Sequence, residues 1–123
     1  MEAVIVDGAN VVGSRPDGWW RDRAGAARRL HERLSATQWP QDEIILVLEG
    51  DARAGVPAGQ QGAVRTVHAE GAGDDAIVAE ANKQLAAGAG QSVIVVTADR
   101  LLREQVEAAG ASTRSPTWLL DRL

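Results

Sequence analysis

Apolar residues recur along this chain in two alternating rhythms. Short unbroken runs stand at residues 3–6, at Glu43–Leu48 and at Ser92–Val96, rich in Val, Ile and Leu and bounded by Gly or polar residues. Runs of this length and composition predict strands buried on both faces. Val64–His68 is more polar and predicts a strand near a sheet edge, and residues 111–114 predict one more short strand. The other rhythm is helical. Over residues 21–35, Ala24, Ala27, Leu30 and Leu34 form an apolar stripe, with Arg21, Arg28, Arg29 and Arg33 opposite and Arg23 nearer the apolar side. A second helix follows Gly73-Asp74-Asp75, with Ile77, Val78, Ala81 and Leu85 inward. A third follows Asp99-Arg100, with Leu102, Val106 and Ala109 inward and Gly110 as its C-cap. Ser115 as N-cap with Pro116 at the first helical position starts a last turn carrying Trp118, Leu119 and Leu120. Residues 14–20 and 52–62 read as loops from their Gly and Pro, the second as a flexible one.

Strands alternating with helices predict an α/β fold: three layers, with a mainly parallel sheet of four to five strands between helices. The strand at residues 3–6 is expected at the centre, because its unbroken apolar character implies burial on both faces. In such a sheet every strand's C-terminus and every following helix N-terminus lie on one edge. Asp7, Glu49, Asp51, Asp74, Asp75 and Asp99 all fall on that edge, where α/β sheets place their ligand sites.

Composition narrows the chemistry. The 123 residues fit a single domain, here spanning 1–123. With no Cys and two His, thiolate sites and disulfides are excluded and a zinc site is disfavoured. No run reaches the ~18 apolar residues of a membrane span, and nothing before Asp7 reads as a signal peptide, so a cytoplasmic location is expected. The net charge of −4 argues against a uniformly basic nucleic-acid coat. Twelve of the 13 basic residues are nevertheless Arg, which suits phosphate recognition.

Each acid on the edge has a structural role open to it. Asp7 can end its strand in an Asx-type turn, with Asn10 accepting or donating there. Asp74 and Asp99 can cap helices, and Asp75 suits a helix N-terminus. Glu49 and Asp51 can be solvated loop charges. Gathered in one cleft, however, such carboxylates repel one another, so that some stay protonated or a cation neutralises them. An all-oxygen set suits Mg²⁺ or Mn²⁺. A carboxylate-held ion of that kind beside a phosphate is the arrangement that cleaves phosphodiesters.

Three motifs carry a resemblance. Asp7-Gly8-Ala9-Asn10, Gly73-Asp74-Asp75-Ala76-Ile77 and Val95-Val96-Thr97-Ala98-Asp99-Arg100, in that order, resemble the NYN domain of the PIN-like nucleases in its YacP-like branch. The resemblance spans nearly the whole chain. It implies a Rossmann-like sheet, a metal-bound acidic site and cleavage of single-stranded or structured RNA. Asp7, Asn10, Asp74 and Asp99 match family positions directly. Thr97 matches a small hydroxyl residue that helps place the metal or its water. Asp75, beside the family acid, would assist or substitute, so the implied metal set is Asp7, Asp74, Asp75 and Asp99. Glu49 is a weaker candidate. The loop at residues 52–62 departs from what RNA grip would favour, being rich in Gly and Ala.

Arg15 and Arg100 flank the acidic edge and are candidates for phosphate contact. Arg21 and Arg28 share a helix face that would carry RNA backbone, although such a stripe is commonly the wet side of a helix. Trp19 and Trp20 are candidates to stack on bases, with packing on the first helix as the alternative. His31 and His68 read as structural. Alternatives to a metal-dependent ribonuclease are a non-catalytic RNA-binding module of the same fold and a hydrolase of small nucleotides. A receiver-like phosphoacceptor domain needs a Lys after its last strand, whereas the one Lys here, Lys83, lies mid-helix. Neither a G-x-G-x-x-G after the first strand nor a P-loop is present.

Overall fold

The computed structural model describes residues 1–123. β1 (Glu2–Asp7) lies between β2 (Glu43–Leu48) and β5 (Ser92–Val96), parallel to both, with Ile5 opposite Ile45 on one side and Val95 on the other. β4 (Val64–His68) pairs parallel with β2, and β6 (Ser112–Arg114) pairs parallel with β5. β3 (Gly59–Gln61) adds an antiparallel edge, giving six strands in the order β3-β4-β2-β1-β5-β6. The central position of β1 agrees with its apolar pattern. The sheet has one strand more than the expected four to five.

Strand residues alternate between two cores, as the period of two requires. Val4, Val6, Leu46 and Val96 face the layer of α1 (Gly8–Gly13), α2 (Arg23–Ala36) and α5 (Pro116–Leu120), meeting Val11, Leu30, Leu34 and Leu119. Ile5, Ile45 and Val95 face α3 (Gly73–Leu85) and α4 (Arg100–Ala109), meeting Ile77, Ala81, Leu102 and Val106. Ala109 is exposed, a correction to its expected inward position. Gly110 ends α4 at φ +112° directly after it, and the chain turns so that Ala111 enters the core instead.

Two further segments differ from expectation. Residues 8–13, read as a turn, form the helix α1, which Asp7 caps by accepting the Asn10 backbone N–H at 3.2 Å. Residues 52–62, read as a flexible loop, are built. A 3-10 segment at Gly50–Gly55 packs on α2 so closely that a Cβ on Gly55 would fall 2.0 Å from the Ala24 carbonyl oxygen. Val56 then anchors the chain in the core, and Gly62 at φ +58° opens the two-residue turn between β3 and β4.

The chain runs outward from β1 to β2 and β4, then crosses back to β5 on the other side of β1. The strand order therefore reverses between β1 and β5. In an open α/β sheet the crevice beyond the C-terminal ends of those two strands is where ligands bind.

Candidate active site

Asp7 closes β1 at that crevice. Its side chain is 6% exposed, buried between the ends of β1 and β5. A carboxylate there needs donors, and it has two. Asn10 N–H reaches Oδ1, and the fully buried Thr97 hydroxyl donates to Oδ2 at 2.9 Å. Thr97 Oγ1 in turn accepts the Asp99 backbone N–H at 3.1 Å. The Asn10 side chain points elsewhere: its Oδ1 accepts the Ala98 N–H at 2.8 Å, tying α1 to the β5–α4 loop. Asp99 is the N-cap of α4, with Oδ1 accepting Leu102 N–H at 3.0 Å.

Asp74 behaves differently. It stands in the first turn of α3, but the helix is capped from outside, since Glu49 Oε2 accepts the Gly73 N–H at 2.7 Å. Asp74 is exposed and takes part in no ion pair. Partial burial pushes its carboxyl above the usual carboxylate range, and the charges of Asp99, Glu49 and Asp75 push it further. Asp7 is raised chiefly by burial. The Thr97 and Asn10 hydrogen bonds oppose that rise, and Asp74 and Glu49 add to it. The Glu49 bond to the start of α3 and the Thr97 link between Asp7 and the Asp99 N–H bring these acids to one end of the sheet.

Glu49 therefore stands at the same edge, tied to the start of α3. Gly73 leaves that side chain little room, since a Cβ there would come within 3.3 Å of the Glu49 carboxyl carbon. Gly8 matters in the same way, because a Cβ there would sit 2.6 Å from the Val47 carbonyl oxygen. Asp75, the next residue of α3, lines a cleft with His68 and Glu80. Asp51 is exposed beyond Glu49. Both histidines lie outside the carboxylate group. His31 is buried in α2, and His68 Nε2 lies 2.7 Å from the Val56 carbonyl oxygen.

The donor chemistry suits a hard cation: all oxygen, no thiolate, and repulsion that a cation relieves. The spacing is not a closed cage, since no three carboxylate or imidazole groups stand close enough together to hold an ion among themselves. Asp7, Asp74 and Asp99 thus do not meet in one coordination sphere as the chain stands. Asp7 and Asp99 are each turned to a backbone N–H. Such a set fits a cation that keeps several of its waters and takes one or two carboxylates together with substrate phosphate, the usual habit of Mg²⁺.

The basic residues are grouped differently from expectation. Arg15 lines a groove of about 250 Å³ with Arg29 and Arg33, which lie one helical turn apart on α2. Arg28 points to solvent outside that groove, and the Arg21 guanidinium lies 5.8 Å from the centre of the Trp20 ring. Arg100 is exposed in the first turn of α4 beside Asp99. Trp19 lines a larger cleft, next to Gly8 and Glu49.

No family model matches the chain, and no curated protein matches it. Among solved structures, it is similar to Rae1 (YacP) from Bacillus subtilis, solved as the W164L mutant. The TM-score is 0.63 at 20% identity, over 98% of this chain and 74% of that one. The fold is YacP-like. No helix is long and apolar enough to cross a membrane.

Proposed function

We propose that the protein is a ribonuclease that hydrolyses RNA phosphodiester bonds with Mg²⁺ or Mn²⁺ held at the Asp7, Asp74 and Asp99 edge. One observation carries this reading: a buried, oriented Asp7 carboxylate faces the repulsion of Asp74 and Glu49 where the strand order reverses. The three motifs that resemble the NYN domain fall at this edge, and the YacP-like fold supports the same assignment.

Asp7 and Asp74 would hold the ion, with Asp99 behind them. When bound, the ion activates a water and offsets the charge that develops on the scissile phosphate. Thr97 is a positioning residue. It is fully buried, fixes the Asp7 carboxylate, and sets the start of the loop that carries Asp99. Arg100 would contact the phosphate beside Asp99, and Arg15, Arg29 and Arg33 would take backbone phosphates farther along the strand.

A second reading, a non-catalytic RNA-binding module, has its own observation: Asp7 and Asp99 already serve as helix caps. Incubation with single-stranded and structured RNA in Mg²⁺, Mn²⁺ or chelator separates the two. The nuclease cleaves in both metals and not in chelator, whereas the module retains RNA without cleaving it.

A further inference from the structure

The cleft beside the carboxylates has a volume of about 390 Å³, in the range of small-ligand sites. Its wall is Trp19, with Val12 and Leu48 as apolar neighbours. The indole is held from several sides. The ring lies against the Gly13 position, where a Cβ would stand 3.6 Å from it, Trp20 meets it edge-on at 6.0 Å between centroids, and the Arg23 guanidinium lies 4.9 Å from its centre. Bases stack on a fixed aromatic plane of this kind and on Arg guanidinium planes.

Two carboxylates, Glu49 and Asp51, also line the cleft. Glu49 connects it to the acidic edge, because the same side chain caps Gly73 and acts on Asp7 and Asp74. Asp51 is exposed and in no ion pair. Ionised carboxylates only accept hydrogen bonds. Arg23, the one cation lining the cleft, is turned to the Trp19 ring, so Glu49 and Asp51 set the polar complement: a flat ring that presents N–H donors. Adenine, cytosine and guanine carry an exocyclic amino group, whereas uracil has none and sets its one N3–H between two carbonyl oxygens. Cleft and carboxylate edge adjoin at Gly8, the residue after Asp7.

We infer that the cleft is a nucleobase subsite that takes an amino-bearing base in preference to uracil. The base belongs to a nucleotide whose phosphate lies at the acidic edge, a placement that rests on the ribonuclease reading. Trp19 stacks on the base, and Glu49 and Asp51 accept its amino hydrogens.

Two measurements test this. In the first, without metal or phosphate, the indole N–H resonances of the full-length protein are followed by NMR against adenosine, cytidine, guanosine and uridine. Trp19→Phe assigns the Trp19 signal. The first three nucleosides should shift it and uridine should not. Asp51→Asn, which supplies an amide donor, should weaken adenosine binding and admit uridine. Trp19→Ala should weaken binding by about tenfold, the loss of one stacked base.

In the second, the ends produced from a random-sequence RNA in Mn²⁺ are sequenced. One position flanking the cut should be depleted of U, and Asp51→Asn should restore U there. An unmoved Trp19 signal with every nucleoside, or equal shifts with uridine that Asp51→Asn leaves unchanged, overturns the subsite. The nucleoside arm contains no phosphodiester, so shifts there without any RNA cleavage uphold the subsite and count only against the nuclease. Cleavage with no base bias and an unmoved Trp19 does the reverse.

Discussion

The Thr97 hydroxyl donates to Asp7 Oδ2 at 2.9 Å, joining side chains 90 residues apart at the ends of the two strands where the sheet order reverses. The same oxygen accepts the Asp99 N–H, so one buried atom positions two of the proposed metal-site acids. Thr97→Val keeps the shape and removes the atom. It leaves a buried carboxylate short of a donor and a backbone N–H short of an acceptor. Destabilisation of about 1–3 kcal/mol is expected in urea unfolding. Thr97→Ser should retain most of the stability.

Stability should depend on pH in a direction set by Asp7 and Asp74. Both are raised above the ordinary 3.8 in the folded protein, so over that window the native state binds more protons than the unfolded chain. Their contribution is then fully present below about pH 3.8 and is lost as pH rises through the raised folded values. At neutral pH these carboxylates work against the fold. Asp7→Asn, whose amide can donate to Thr97 Oγ1, should raise the metal-free melting temperature at pH 7 and flatten the pH profile. A lower melting temperature at pH 7 would show that the Asp7 charge itself supports the fold.

Gly8 allows α1 to start against the end of β2. A Cβ at Gly8 would meet the Val47 carbonyl oxygen at 2.6 Å and Leu48 Cδ2 at 2.8 Å. Gly8→Ala should therefore cost about 1–3 kcal/mol of stability, as overpacking does. The displaced helix start should also weaken Mn²⁺ binding by carrying Asp7 and Asn10 out of place. Calorimetric titration alongside denaturant unfolding reads both effects.

Much of this architecture was legible in the residues. The unbroken apolar runs of β1, β2 and β5 need two covered faces, and that places them mid-sheet without any knowledge of pairing. Topology alone put Asp7, Glu49, Asp51, Asp74, Asp75 and Asp99 on one sheet edge, but not their spacing, which leaves no three of them close enough to hold an ion among themselves. What escaped was local or depended on partners distant in sequence. α1 is only six residues, too short for helical periodicity to show, and its cap is the residue proposed for chemistry. β3 is three exposed residues with no apolar pattern, inside the stretch that read as a flexible loop. The capping of α3 by Glu49 comes from 24 residues away, so Asp74 had the look of a cap while being free of that duty. The grouping of Arg15 with Arg29 and Arg33, in place of Arg21 with Arg28, depends on where α1 and α5 pack against α2.

That grouping predicts the salt dependence of RNA binding. If Arg15, Arg29 and Arg33 each neutralise one phosphate, replacing all three with Ala should reduce the slope of log affinity against log salt by about 2, near 0.7 per single-strand contact. Arg28→Ala, outside the groove, should leave the slope unchanged. Filter retention of a single-stranded RNA across a salt series decides between the two sets.

The most direct test of the proposed chemistry is the rate of RNA cleavage by Asp74→Asn in saturating Mn²⁺, measured with RNA retention in parallel. Asp74 is exposed and caps no helix, so its replacement leaves the fold intact. If its carboxylate helps hold the ion at the scissile phosphate, turnover should fall about 100-fold or more, since the ion's contribution of several kcal/mol is made in the transition state. RNA affinity should stay at the wild-type value. Cleavage by Asp74→Asn at the wild-type rate would contradict the account.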